Sequence, residues 1–384
     1  MNLLLKRKWF SPMIKIFLFA FFILIVLIVM LLGYRFIVQQ QIKQKSAEII
    51  ENGGISELKE LDVNGDKQYI LVEGKDKEKP FCLFLHGGPG SPFPYGVSAR
   101  TLYPEITENC VAVYYDQRGS GKSFNKKLTN NTLTLSQFTE DANIIVDYIK
   151  ENYQQEKIFV IGQSFGTIVG TQLVSNYPEK FHAYLGISQV TNISKGQELG
   201  YNWLYSEALS NGDKKTLRIL DDIGEGPYLA KDEDQFSDLI NHYKGMNYFD
   251  DTIKKVNLFD LIKGAFTSPD YSLQDLYKAF ISGPQFSLID SQELKKEIIL
   301  TNFFDSVKSI DIPVYFIQGK YDKQTNYELA KQYFELLDAP NGKEFITLEH
   351  SAHYPNTLDA ALMNDTFKKM LEPKRPAGTD ITPP

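Results

Sequence analysis

The sequence predicts an α/β protein: a mostly parallel central sheet with helices on both faces, an inserted helical cap and an N-terminal transmembrane helix. Three observations predict it. Short, uniformly apolar runs such as Phe81–Leu85 and Ile158–Gly162 read as strands buried on both faces. Amphipathic helical stretches separate successive runs, and that alternation calls for a parallel sheet. Near the N-terminus stand 17 unbroken apolar residues, Ile16–Leu32. As a helix they span roughly 25 Å, close to the thickness of a bilayer core.

The elements follow in order. Lys6, Arg7, Lys8 and Lys15 precede the apolar run, whereas Arg35, Lys43 and Lys45 follow it. That small excess predicts a cytoplasmic N-terminus and the bulk of the chain outside. The exit "GYRFIVQQQIKQK" has no A-x-A-like cleavage site, so the segment reads as an uncleaved, single-pass anchor over 1–38, with a polar stalk over 39–54. Two β-prone runs flank Asn64-Gly65, a hairpin signal. Strands are then expected at Phe81–Leu85, Cys110–Asp116, Ile158–Gly162, near Phe181–Ser188, at Val314–Gly319 and at Glu344–Glu349. A helix carrying Phe138, Ile145 and Ile149 precedes the third of these. Others are expected around Tyr327–Leu337 and from about Thr357 to Leu371.

The core thus occupies 55–190 and 308–371. Between them, 191–307 is helical and aromatic-rich without a clear buried strand, and reads as a cap over the strand ends. The proline-bearing end, 372–384, reads as a disordered tail.

Bulk properties narrow the partners. With 43% apolar and 23% charged residues, the 384-residue chain is globular, and a net charge of −7 argues against nucleic acid. The expected partners are a small-molecule or short-peptide substrate and the bilayer, through 16–32. The two cysteines, Cys82 and Cys110, lie in strand-like runs and read as free core residues, and the five histidines form no HxxxH or HExxH pattern. "GSGKS" at 119–123 lacks the first glycine of a phosphate loop, since position 116 is Asp116.

One constellation carries chemistry. The strand ending at Gly162 runs into Gln163-Ser164-Phe165-Gly166 and then an apolar helix. A strand that reverses into a helix in this span strains the serine and lifts its hydroxyl out of the sheet. Serine needs a base, and the base needs an acid to hold its tautomer. Asp322 follows the strand Val314–Gly319, and His353 follows Glu344–Glu349, in the order Ser, Asp, His. His350 and Asp338 are the competing base and acid. Acyl transfer also needs two backbone N–H groups facing the oxyanion. One is that of Phe165; the other comes from the loop after Phe81–Leu85, where Gly88 is the first choice and Gly87 the second. The set needs no cofactor.

These residues together resemble the α/β-hydrolase superfamily and, within it, the proline iminopeptidase-like serine hydrolases. His86-Gly87-Gly88-Pro89-Gly90 and Asp116-Gln117-Arg118-Gly119-Ser120-Gly121-x-Ser123 are similar to that group's two signature loops, and Gly319-Lys320-Tyr321-Asp322 to its acid loop. The similarity covers about Asn64 to Met370, apart from the cap. It implies the α/β-hydrolase fold, Ser164 as nucleophile, His353 as base, Asp322 as acid, and Asp116 and Arg118 as supports of the oxyanion loop. The elbow departs from the group, whose peptidases commonly have glycine before the serine and tryptophan after it. In true iminopeptidases cap carboxylates hold the substrate's amine; Glu198, Glu207 and Glu225 are the candidates here, each also readable as a solvated helix carboxylate.

The resulting expectation is a membrane-anchored serine hydrolase that cleaves an amide or ester through an acyl-enzyme, with N-terminal proline peptides first among substrates. A carboxylesterase or lipase is the alternative within chemistry. A non-catalytic binding protein is the alternative outside it.

Overall fold

The computed structural model describes residues 12–228 and 231–372. It opens with a single helix, α1, Pro12–Glu51, whose apolar part is fully exposed and long enough to cross a membrane. The helix does not stop at the end of the apolar run. The expected stalk, 39–54, is largely its C-terminal portion, and it packs against the domain instead of holding it away. Gln39 Nε2 donates to the Ser268 carbonyl (2.8 Å) and Ser46 Oγ to Glu73 (3.2 Å), contacts that local sequence cannot announce.

Eight strands then form one sheet: β1 Ile55–Val63, β2 Asp66–Gly74, β3 Phe81–Leu85, β4 Val111–Asp116, β5 Ile158–Gln163, β6 Phe181–Ile187, β7 Val314–Gly319 and β8 Lys343–Leu348. Their order is β1-β2-β4-β3-β5-β6-β7-β8. β1 and β2 pair as the expected hairpin, with Asn64 and Gly65 at positive φ in the turn, and β2 joins β4 antiparallel. Every other pairing is parallel.

Alternation along each strand sends side chains into two cores. Leu83 and Leu85 join one face, with α2 (Leu135–Asn152) and α3 (Phe165–Asn176) over it. Cys82 and Phe84 join the other, where Phe367 and Met370 of the C-terminal helix Ala360–Leu371 also pack. Both cysteines are free and buried. Burial on both faces is why these strands read as continuous apolar runs instead of alternating ones.

The excursion after β6 is helical. It comprises α4 (Ile193–Ser210), α5 (Lys214–Ile223), α6 (Lys231–His242), α7 (Phe259–Thr267), α8 (Leu273–Tyr277), two π-helical turns at Lys278–Ser282 and Gln285–Asp290, α9 (Gln292–Ile299) and α10 (Phe303–Ser306). Its ends meet in an Asn192–Asn302 bridge, after which the chain runs back to enter β7 at Val314, level with Tyr184 of β6. Leu204, Leu220, Tyr228, Phe236 and Ile240 give α4–α6 a small core of their own. After β7 comes α11 (Tyr327–Leu336), and after β8 comes α12 (Ala360–Leu371). Residues 373–384, nearly all of the expected tail, lie outside the described residues.

Candidate active site

The elbow at Ser164 is built by close packing. Ser164 has φ 51° and ψ −119°, a strained backbone for a residue with a side chain. The strand-to-helix reversal is held by Ser164 N–H donating to the Ile187 carbonyl (3.0 Å). The flanking glycines are required by space. A Cβ on Gly166 would lie 2.1 Å from the Leu85 carbonyl oxygen, and one on Gly162 would lie 2.6 Å from that of Gly166. Small residues thus let α3 start directly against the end of β3.

Three loops at the C-terminal ends of β5, β7 and β8 bring the expected trio together. His353 Nε2 is 3.1 Å from Ser164 Oγ, and His353 Nδ1 is 3.1 Å from Asp322 Oδ2. Asp322 is fully buried, His353 nearly so and Ser164 half-buried. The Asp322 oxygens also accept from the backbone N–H groups of Gln324 (2.9 Å) and Thr325 (2.8 Å), Thr325 Oγ1 (2.7 Å) and Gln318 Nε2 (3.0 Å). Those donors fix the carboxylate, which in turn holds the proton on His353 Nδ1 and leaves Nε2 as acceptor for the serine hydroxyl. Ser188 Oγ donates to the His353 carbonyl (2.9 Å) and pins the loop from below.

The competing residues stand elsewhere. His350 Nδ1 pairs with Asp359 (2.8 Å) and its side chain is exposed, while Asp338 is an exposed residue in a bridge to Ser309.

The glycine loop lies against the serine. A Cβ on Gly87 would sit 3.5 Å from Ser164 Cβ, and Gly88, at φ 113°, follows at the turn. Phe165 is the first residue of α3, where a backbone N–H has no partner within its own helix. The glycine loop and the N-terminus of α3 thus border Ser164, and a helix N-terminus is an environment that suits an oxyanion.

A role the sequence did not disclose belongs to His86. Its Nε2 accepts from the Gln117 N–H (3.1 Å), so the proton is on Nδ1, which donates to the Gly87 carbonyl (2.7 Å). Ser120 Oγ lies 2.9 Å from Nε2. The imidazole clamps the glycine loop to the loop after β4, and burial pushes its pKa down to about 4. Asp116 continues the clamp by accepting from the Val97 N–H and the Lys122 N–H, both at 2.8 Å. Arg118 turns the other way. It pairs with Asp66 and forks onto Asp141 (2.6 and 3.0 Å), tying β1–β2 to α2 and reaching the glycine loop only indirectly. Lys122 pairs with Asp275 (3.0 Å).

A family model described as alpha/beta hydrolase fold matches residues 82–359. The chain belongs to the alpha/beta hydrolase fold family. Its relatives include proteins named as a probable aminopeptidase and a proline iminopeptidase. Probable aminopeptidase YbaC from Bacillus subtilis (strain 168) is 29% identical over 326 residues, covering 84% of this hydrolase and 98% of that protein. A proline iminopeptidase from Thermoplasma volcanium is 28% identical over 124 residues, 32% of this chain and 38% of that one. The crystal structure of a proline iminopeptidase-related protein from Thermus thermophilus superposes with a TM-score of 0.50 at 18% identity, covering 83% and 97% of the two chains.

The hydrolase does not gather the three cap glutamates around Ser164. Glu198 pairs with Lys195 (2.5 Å) at the surface, and with Glu225 it lines an open cleft of about 350 Å³. That lining contains Asn192, Ser194 and Pro227 but neither Ser164 nor His353. Glu207 is outside it, on the last turn of α4. Of the two readings of these carboxylates, the solvated one fits Glu225, which is exposed, and Glu198, whose side chain is 43% exposed on this open cleft.

Proposed function

We propose that this chain is a membrane-anchored serine aminopeptidase that cleaves the amide bond after an N-terminal residue, with proline the first candidate. The observation that carries this reading is the line from Asp322 Oδ2 through His353 to Ser164 Oγ, 3.1 Å at each joint. Ser164 Oγ attacks the substrate carbonyl carbon while His353 Nε2 takes the hydroxyl proton, and Asp322 stabilises the imidazolium that forms. The N–H groups of Phe165 and Gly88 receive the carbonyl oxygen as it becomes an oxyanion. Collapse breaks the C–N bond, and His353 returns its proton to the departing amine, leaving the acyl group on Ser164. Water, losing a proton to His353, then attacks the ester and releases the acid.

Similarity to a protein named a probable aminopeptidase over 98% of its length supports amide over ester cleavage. The exposed apolar face of α1 supports the anchor, and the basic residues before it support a catalytic domain on the outer side.

Full-length protein in detergent, assayed side by side on prolyl and other aminoacyl anilides and on short-chain nitrophenyl esters, tests the reading. The expected result is anilide cleavage that disappears when the substrate's amine is acetylated. Ester turnover without anilide cleavage would make it a carboxylesterase or lipase instead.

A further inference from the structure

The cap carries an apolar surface that no described part of the chain covers. On α7, Phe259 is 63% and Ile262 49% exposed, three residues apart on one side of the helix. The opposite side, at Gly264, is buried against Leu102. The next segments continue the pattern with Leu273 (55%), Tyr277 (59%) and Ile281 (52%). Apolar surface gathered like this on a soluble face marks a binding surface.

The position of α1 identifies what it meets. Arg35 Nη2 donates to the Tyr271 carbonyl (2.5 Å), and its guanidinium stands 5.1 Å from the Phe266 ring. Gln39 reaches Ser268, and α1 packs along α7. Arg35 is three residues beyond Leu32, the last of the apolar run, which is roughly 4.5 Å along the helix. The headgroup layer on each side of the hydrocarbon core is about 5–8 Å deep. Tilting the helix only shortens the vertical separation. Residues 266–271 therefore stand at headgroup level wherever α1 spans, and the apolar side of α7 starts from there. Tyr34, Phe36 and Ile37 of α1 are themselves exposed beside the junction, so the lipid-facing surface is continuous with the cap.

We propose that the apolar side of α7, extended by α8 and the first π-helical turn, rests in the interface of the bilayer that α1 spans. This rests on the membrane-anchor reading and adds a second contact to it. An amphipathic helix with its apolar side in the headgroup–acyl boundary is a common form of such contact. The contact lies next to the chemistry. Phe280 stacks on Phe93 at 4.8 Å, and the Gly283 carbonyl stands 2.4 Å from where a Cβ on Gly90 would be. The segment on the membrane is thus the one packed over the glycine loop.

Nitroxide labels test it, because the two native cysteines are buried. Ile262→Cys, Phe259→Cys, Leu336→Cys and Phe22→Cys would each be labelled in the full chain, reconstituted in phosphatidylcholine–phosphatidylglycerol vesicles. Leu336 is 73% exposed on α11, which packs on the opposite face of the sheet from Ala265 of α7. Relaxation by oxygen against a water-soluble nickel chelate reads depth. The proposal expects labels at 262 and 259 to be oxygen-dominated, like that at 22, and the label at 336 to be nickel-dominated. Nickel-dominated labels at 262 and 259, with that at 22 in lipid, overturn the proposal and leave the anchor standing. A water-exposed label at 22 overturns the anchor and the proposal together.

Discussion

The Tyr271 hydroxyl sits 2.9 and 2.8 Å from the two carboxylate oxygens of Asp116, joining the cap to the end of β4. Burial is the largest influence on Asp116 and pushes its pKa up to about 7, against the backbone N–H donors that favour the anion. A carboxyl whose folded pKa is raised contributes stability that is complete below its unfolded value and lost as pH climbs through the folded one. His86, lowered to about 4, acts oppositely, contributing stability above its unfolded value that is lost as pH falls.

Asp116→Asn removes the first of these effects and leaves the second. The stability of the variant minus that of the wild type should therefore increase with pH between about 4 and 7, by up to about 1.4 kcal/mol per pH unit. Thermal midpoints measured across that range check it. A difference that stays flat would mean that Asp116 titrates alike in the folded and unfolded states.

Arg100 joins three parts of the molecule. Its guanidinium pairs with Glu73 of β2 (2.7 Å) and Asp270 beside α7 (2.5 Å), and also donates to Ser46 of α1 (2.9 Å). Arg100→Met leaves two buried carboxylates without their cation, at a cost of about 3–5 kcal/mol. Burial already pushes the Asp270 carboxyl up, so the loss should shrink at acidic pH, where the orphaned acids take up protons. Chemical denaturation of the variant at neutral and acidic pH measures both effects.

Gly166→Ala should be far worse than its size suggests. Its methyl would meet the Leu85 carbonyl at 2.1 Å, a backbone atom that cannot swing aside, so α3 would have to move and carry Ser164 with it. A loss of at least about 1–3 kcal/mol is expected, together with loss of turnover. Gly196→Ala in α4 is the control, because nothing lies within 4 Å of its added methyl. There the helix should gain up to about 1 kcal/mol. Circular dichroism melts of the two variants make the comparison.

What the sequence disclosed followed the range of the interactions. The hairpin at Asn64-Gly65, the buried strands and the elbow at Ser164 were legible, because period, turn chemistry and flanking glycines act over a few residues. Asp322 and His353 were legible because this fold places such residues just past strand ends. The docking of α1 was not: Arg35 and Gln39 find acceptors 236 and 229 positions away. Nor was the support given by Gln318, whose amide meets Asp322 and Thr325 only once the loop after β7 has closed. The role of the cap glutamates stayed open for a related reason. Convergence of side chains from separate helices depends on how the cap packs, and periodicity carries no information about that.

The most direct measurement is mass spectrometry of the full chain after reaction with a fluorophosphonate. The account predicts one adduct, on the peptide bearing Ser164, and none on Ser164→Ala. It also predicts labelling slowed by about 10⁴-fold in Asp322→Asn, where the tautomer of His353 is no longer held. An adduct that persists on Ser164→Ala, or a wild-type protein left unlabelled, would contradict it.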